Sequence, residues 1–386
     1  MRVLRSFLDY FKRTDKLYWL IMLTISAYSL LLLKTVPNSS TGKSYFTVQV
    51  IAITLGYLGA ILFTLVDYRE ITNYWYIVAG FCLFLIIYTQ IKGIAVTSSG
   101  GIHAKAWIDL GVTTFQPSEL VKIGFILTFA KHISTLKERD LLKSFPQIAL
   151  LACHAAVPIV LVHFQGDDGT AIIFFFMFIA MSFGAGVQLR YFAAVFSAIA
   201  VAFPLAWKYV LADYQKQRFL ITYRLDSPNL GSEVQGYGWQ QIQGRLSIGS
   251  GGLFGRGLFN SPRVNKGLVP VQQSDFIFSV AGEQLGFVGC ILIILLIFLL
   301  LLKTLRIARK SGDDMGSTIC FGFFGMIAAQ ALFNLGMCLN LLPVMGVTLP
   351  FFSAGGSSAA CLYLGFGLVL NVHMHKMNPD KVNLRR

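Results

Sequence analysis

Only 13% of this 386-residue chain is charged, so an ionisable side chain inside an apolar run stands out. Asp275 opens the longest such run, residues 276–302, and Glu283 lies eight residues further on. Along a helix that is about 12 Å of depth and about 80° of rotation, so one carboxylate can be a catalytic group and the other its structural support. Glu119 and Lys122 stand at i and i+3 at the head of another run, close enough to pair on one helical face. They read as a functional pair or as a mutually neutralising structural one, since a charge at mid-membrane costs about 2.5–3.5 kcal/mol on insertion scales. His163, Asp167 and Asp168 cluster at the end of a third run. Their spacing fits no zinc motif, but a hard cation needs fewer protein ligands. A divalent cation (Mg or Mn) bridging carboxylate and phosphate is therefore a candidate cofactor, with Asp167 and Asp275 as its candidate ligands. His132, among basic residues, reads as solvated, and His154 as a satisfied residue of the interior.

Residues 212–274 form the one long polar stretch, holding Lys216, Arg218, Arg224, Arg245, Arg256, Arg263 and Lys266 against Asp213, Asp226 and Glu233. The plain reading is a solvated loop attracted to anionic headgroups. Three details argue for more. Trp239, Ile242 and Leu246 share one helical face with Arg245 at its flank, as in a short interfacial helix. The run from Gly249 to Gly257 has five glycines besides Arg256, a composition that serves flexible turns and can also turn backbone N–H groups toward an anion. It is no nucleotide P-loop, because no Gly-Lys-Ser/Thr follows. The loop ends at Gln272-Gln273-Ser274-Asp275, setting a carboxylate at the mouth of an apolar span.

The elements that must position these groups are membrane spans. A chain 55% hydrophobic with mean hydropathy +0.65 cannot coat a soluble domain, which is typically about 25% charged. Disorder is excluded by the same composition, and six cysteines, all in apolar runs, are packing residues instead of a disulfide framework. A span needs roughly 20 apolar residues, and ten runs qualify or nearly so, at 17–33, 45–66, 74–88, 120–133, 148–164, 171–186, 191–211, 276–302, 317–341 and 351–372. Placing the N-terminus inside leaves nineteen Lys and Arg in cytoplasmic segments against Lys34, Lys43, Lys92 and Lys105 in the short outer ones. The expected fold is thus all-α and polytopic, about ten transmembrane helices with both termini cytoplasmic and one large extracytoplasmic loop. Residues 1–16 form the N-tail, 17–211 helices one to seven, 212–274 the loop, 275–372 helices eight to ten and 373–386 the C-tail. The first span, long and without a small-residue cleavage pattern, is expected to be retained. The net charge of +14 separates into topology-setting residues and an outer group facing the loop.

Five blocks of sequence resemble the SEDS proteins of bacterial shape, elongation, division and sporulation, the RodA/FtsW/SpoVE group. They are Gln116-Pro117-Ser118-Glu119-Leu120-Val121-Lys122; Gln165-Gly166-Asp167-Asp168-Gly169-Thr170; the loop with Tyr214, Gln215, Arg218 and the glycine run; Ser274-Asp275-Phe276 through Gly282-Glu283-Gln284-Leu285-Gly286; and Leu349-Pro350-Phe351-Phe352-Ser353-Ala354-Gly355-Gly356-Ser357-Ser358. The resemblance implies a peptidoglycan glycosyltransferase of the cytoplasmic membrane that polymerises lipid II on its outer face. It also implies an obligate class B penicillin-binding protein as transpeptidase partner, alongside other elongasome or divisome membrane proteins, and no nucleic acid. The family's essential aspartate falls on Asp275, its charged pair on Glu119 and Lys122 within a block that includes Gln116 and Ser118, and its polar loop positions on Asp167, Thr170 and Arg218. The chain departs from the pattern in three places. Val271 and Gln273 replace a Glu and a His. Gly166 and Asp168 replace a Pro and a Leu. The Asn-Gly-Ala-x-Arg-Trp segment is reduced to Ile102-His103-Ala104-Lys105-Ala106-Trp107, leaving Lys105 and Trp107 for that work.

Such chemistry has the 4-hydroxyl of one sugar attack the anomeric carbon of another while undecaprenyl pyrophosphate leaves. An alcohol needs a positioned base, which a carboxylate in an apolar mouth supplies, and the leaving group needs only cations. Asp275 is then the base, and Arg218, Lys105, Lys122 and Arg256 the pyrophosphate-holding set. A flippase of lipid-linked precursors would instead use Glu119 and Lys122 as a coupling site, and a noncatalytic scaffold for a transpeptidase would tolerate loss of Asp275.

Overall fold

The computed structural model describes residues 10, 12–38, 42, 44–98, 102–109, 111, 114–209, 211–224 and 238–376. Arg2, Arg5, Lys43, Asp226 and Glu233 lie outside the described residues, as do the ends of the two tails. Fourteen helices run through the rest, α1 Lys16–Thr35, α2 Tyr45–Leu65, α3 Tyr68–Asn73, α4 Trp75–Lys92, α5 Pro117–Glu138, α6 Phe145–Phe164, α7 Asp168–Gly184, α8 Leu189–Tyr209, α9 Asp213–Thr222, α10 Trp239–Ser250, α11 Pro262–Asn265, α12 Ile277–Arg309, α13 Asp314–Cys338 and α14 Gly356–Met374. Eight of them, α1, α2, α4, α6, α8, α12, α13 and α14, are long and apolar enough to cross a membrane. The other two of the ten expected spans, α5 and α7, thread the same bundle. α5 falls short through its charges and α7 through its 17 residues.

Starts are fixed locally. Asp15, Ser44, Asp67, Asp167 and Asp313 accept backbone N–H groups in the first turns of α1, α2, α3, α7 and α13, satisfying donors that lipid could not. At the centre, α2 and α14 approach closely because Gly56 and Gly367 offer no side chain. A Cβ on Gly367 would stand 2.5 Å from Ala60 Cα, and one on Gly56 2.6 Å from Tyr363 Cβ. Charges gather at the N-terminal end of α1, where Lys303 meets Asp15 at 2.7 Å, Arg69 meets Asp313 at 2.6 Å and Lys137 meets Asp314 at 2.7 Å. His132 is not simply solvated: its Nδ1 lies 3.1 Å from Nδ1 of His154, and the two rings stack.

Three features depart from the sequence expectation. The fold is not purely helical, because β1 Ile94–Ser98, β2 Ile102–Asp109 and β3 Thr114–Phe115 form an antiparallel sheet between α4 and α5 in the order β1-β2-β3. It is tied to the bundle by Lys105 N–H donating to Gln165 O at 3.0 Å. Second, α10 keeps Trp239 and Leu246 exposed, as an interfacial helix would, but its opposite polar face is not solvated: Gln240, Gln241, Gln243 and Ser247 are buried. Gln241 explains why, since its amide reaches the carbonyls of Met337 and Leu342. Third, the glycine run is not an open anion nest. It docks into a break in α12 at Gly286, where φ is 65° and ψ −158°. Phe287 and Val288 N–H groups turn from the helix to the carbonyls of Gly252 and Leu253, while the carbonyls of Glu283 and Gln284 accept from Arg256 and Gly257 N–H, all at 2.9–3.2 Å. Only glycine permits this approach, because a Cβ on Gly255 would stand 2.1 Å from Gln284 O.

Gly255→Ala is therefore expected to destabilise the protein by about 1–3 kcal/mol, lowering its melting temperature in detergent. Gly249→Ala, whose Cβ meets open space, is expected to leave it unchanged.

Candidate active site

A cavity of about 750 Å³ opens at the end of the bundle opposite the ionic cluster. Its polar end gathers Gln116 from the head of α5, His163 from the end of α6, Asp167 and Asp168 from the α6–α7 turn, Gln215 and Arg218 from α9, Ser274 and Asp275 ahead of α12, and Ser358 from α14. Trp107 of β2 and the segment 343–346 close it, and Ile159, Ala171, Ile172, Phe175, Leu211 and Phe219 give it apolar walls.

Asp275 is held through its backbone. Asn334 Nδ2 donates to Asp275 O at 2.8 Å and also to Val347 O at 2.7 Å, so one amide ties α13 to both loops. Ser353 Oγ donates to Ser274 O at 2.6 Å, and Ala354 N–H to Gln273 O at 2.8 Å. The carboxylate faces the cavity, where burial pushes it up to about 6. The Ser274 hydroxyl pulls it down and the charge of Asp167 pushes it further up. Asp167 is raised too, by burial first, against the hydrogen bonds from Thr170. Its Oδ1 caps α7 by accepting Thr170 N–H at 3.0 Å, and its Oδ2 accepts Gln116 Nε2 at 2.8 Å.

The structure sorts the sequence candidates into two groups. Asp275, Asp167, Gln116, Arg218 and Trp107 line the cavity. Glu119 and Lys122 do not: they form a 2.8 Å ion pair at 6% and 1% side-chain exposure, one layer behind the wall, with Ser358 Oγ donating to the second Glu119 oxygen at 3.0 Å. Lys122 is thus a buried counter-ion of Glu119 and is not among the residues that line the cavity. Thr170 acts through Asp167, and Ser118 is buried without a hydrogen-bond partner for its Oγ. Lys105 is exposed on β2 and Arg256 is exposed with its Nε donating to Ser250 O, both outside the cavity lining. Arg256 is displaced because the glycine run that bears it is docked on α12. Glu283 is wholly buried and supports the loop, its Oε1 accepting Arg263 N–H at the start of α11 at 2.8 Å. Asn334, Ser274 and Ser358 escaped the residue-by-residue reading. Asn334, like Gln330 one turn before it, is a polar amide in an apolar span, a signal that a search restricted to ionisable groups passes over.

Among the described residues no three His, Cys, Asp or Glu side chains converge to cage a metal ion. Asp167 and Asp275 share one cavity, so they fit a Mg-type ion only in company with phosphate oxygens and water.

The FtsW/RodA/SpoVE family model, described as a cell cycle protein, matches residues 14–378. The chain belongs to this family. It is 33% identical over 305 residues to the peptidoglycan glycosyltransferase MrdB of Escherichia coli K12, covering 78% of this chain and 80% of that protein. It is 34% identical over 327 residues to the stage V sporulation protein E of Bacillus subtilis, covering 84% and 85%. In structure it matches RodA of Thermus thermophilus with a TM-score of 0.68 at 26% identity, over 95% of this chain and 98% of that one. It also matches a chain of a peptidoglycan synthase complex that coordinates polymerisation and crosslinking, with a TM-score of 0.76 at 30% identity, over 93% and 97%.

Because Lys122 neutralises a buried carboxylate, Lys122→Met is expected to cost about 3–5 kcal/mol of stability. The double variant E119Q/K122M should recover most of it in thermal unfolding. A Lys122 that served only to hold ligand would give a single variant as stable as wild type.

Proposed function

We propose that the chain is a peptidoglycan glycosyltransferase that polymerises lipid II at the outer face of the bacterial cytoplasmic membrane, with Asp275 as general base. The observation that supports it most is one desolvated, backbone-clamped carboxylate at the polar end of a largely apolar cavity. Both tails lie on the cytoplasmic side in this reading, because the positive-inside count places the ionic end of the bundle there.

The acceptor 4-hydroxyl gives its proton to Asp275 as its oxygen bonds the anomeric carbon of the donor. The carbon–oxygen bond to the diphosphate breaks and the electron pair stays on the diphosphate, with inversion at carbon. The other two carboxylates lining the cavity have both oxygens engaged, Asp167 by Thr170 N–H and Gln116 Nε2 and Asp168 by His163 and Gln215 Nε2, which favours Asp275 as the single reacting carboxylate. Arg218, fixed by donating to Val344 O at 3.3 Å, supplies positive charge for the diphosphate. The walls at Ile159, Ile172 and Phe175 suit a polyprenyl chain. Helix α8, which leads to the lining residue Leu211, has no buried residue, and its ring contacts to other elements, Phe192 with Phe183 and Trp207 with Phe219, lie at its ends. Asp167 and Asp275 would hold a Mg or Mn ion, which would supply charge neutralisation for the leaving diphosphate. A class B penicillin-binding protein is the expected partner, in keeping with the solved complex that joins polymerisation to crosslinking.

The test is polymerisation of lipid II supplied to the outer side of proteoliposomes containing the chain and its partner. Wild type should make glycan and folded Asp275→Asn should lose at least about 100-fold in rate, whereas a flippase would make none and a scaffold would be indifferent to the substitution. Since the base is active only when deprotonated, kcat/KM should fall as pH drops through about 6. Asp167→Asn removes the neighbouring negative charge and should move that midpoint to lower pH.

A further inference from the structure

His163 is left unused by the mechanism above, yet it lines the cavity and is built into place. Its Nδ1 lies 2.5 Å from Asp168 Oδ1. The second oxygen of Asp168 accepts Gln215 Nε2 at 2.9 Å, and Gln215 Oε1 accepts Ala212 N–H at 3.0 Å. Three elements, the end of α6, the start of α7 and the start of α9, thus meet to orient one imidazole. With Nδ1 committed to a carboxylate, Nε2 is the nitrogen left to act, and in the protonated ring it carries a hydrogen of its own. The ring is 59% exposed, so it stands at the cavity mouth and not in the core. Gln215 and Arg218 occupy successive turns of α9 and both line the same cavity. Asp168 is also one of the positions where the chain departs from the family pattern.

We propose that the His163–Asp168 pair, locked by Gln215, is a diphosphate-binding element of the cavity. His163 Nε2–H donates to a phosphate oxygen of the lipid-linked substrate or product opposite Arg218. This rests on the glycosyltransferase reading and extends it with a specific residue. In the protonated ring both nitrogens donate, one to Asp168 and one to the ligand, and the bond is charge-assisted. Four other charged groups face the cavity and also act on the ligand, namely Asp168, Asp167, Asp275 and Arg218, so variants are compared at a single pH.

The experiment is titration of farnesyl diphosphate, with farnesyl monophosphate as comparison, into the purified chain at pH 5.5. His163→Gln should bind the diphosphate about 10-fold more weakly than wild type, and His163→Lys, which keeps a cation at that position, should bind it more tightly than His163→Gln. A His163→Gln protein that binds the diphosphate as wild type does overturns the proposal, and so does one that loses melting temperature alone, since a bridge between helix ends would do that. Asp275→Asn separates this from the parent reading: if that variant still polymerised lipid II, the choice of base would fall while the diphosphate result stood.

Discussion

No backbone group of this chain can be left unpaired where lipid surrounds it, and the exchange at Gly286 is where that constraint shapes the site. A helix broken about 13 Å below its start would orphan two N–H groups and two carbonyls. The glycine run answers all four. In doing so it fixes the whole segment 249–257 against α12, and Arg263 N–H on Glu283 then fixes α11 beside it. The loop expected to be a polar excursion is instead docked backbone to backbone. Asp275 stands at the head of the same helix, so the elements that seat the loop also set the depth and direction of the carboxylate.

The same constraint sorts the charges. At the ionic end, Asp15, Asp67, Asp313 and Asp314 each meet a lysine or arginine. In the interior Glu119 and Lys122 neutralise each other. At the cavity end the pattern changes, with Asp167 raising the proton affinity of Asp275 and the carboxylates held mainly by hydrogen bonds instead of by lysine or arginine. A bundle that pairs its charges elsewhere and leaves three carboxylates, Asp167, Asp168 and Asp275, facing a cavity makes that place chemically distinct, because burial there raises the basicity of Asp275.

Much of this was legible in sequence because membrane spans obey one strong rule. Apolar runs located ten helices of the bundle, eight of them long and apolar enough to cross a membrane, with the largest error at the end of α12, which runs on to Arg309, and the blocks around Gln116, Asp167, Asp275 and Ser353 do converge. What was not legible depends on which partner a group finds. Ile102 to Asp109 reads as a loop, since a strand of eight residues with one partner on either side has no span-length signal. Trp239, Ile242 and Leu246 mark an interfacial helix, and what they do not reveal is that its opposite face is packed, because the glutamine amides there seek carbonyls. Glu119 and Lys122 read equally as a site and a strut on spacing alone, and their burial as an ion pair behind Ser358 could be seen only in three dimensions. Lys105 and Arg256 share the sign of charge that the chemistry wants but not its location, and a charge count cannot tell the two apart.

Rigidity is distributed unevenly, and the distribution follows from packing. Asp275 is bound through its own carbonyl and those of its neighbours by Asn334, Ser353 and Ala354, from two different parts of the chain. A base so held needs little reorganisation when a proton arrives. Helix α8, by contrast, buries nothing and meets its neighbours near its two ends. A polymerase that processes a lipid-borne substrate must keep its base still while it admits a long polyprenyl chain from the side. Tight and loose elements of one bundle suit both demands within a single chain: backbone hydrogen bonds fix Asp275, and the weak packing of α8 leaves that helix able to yield.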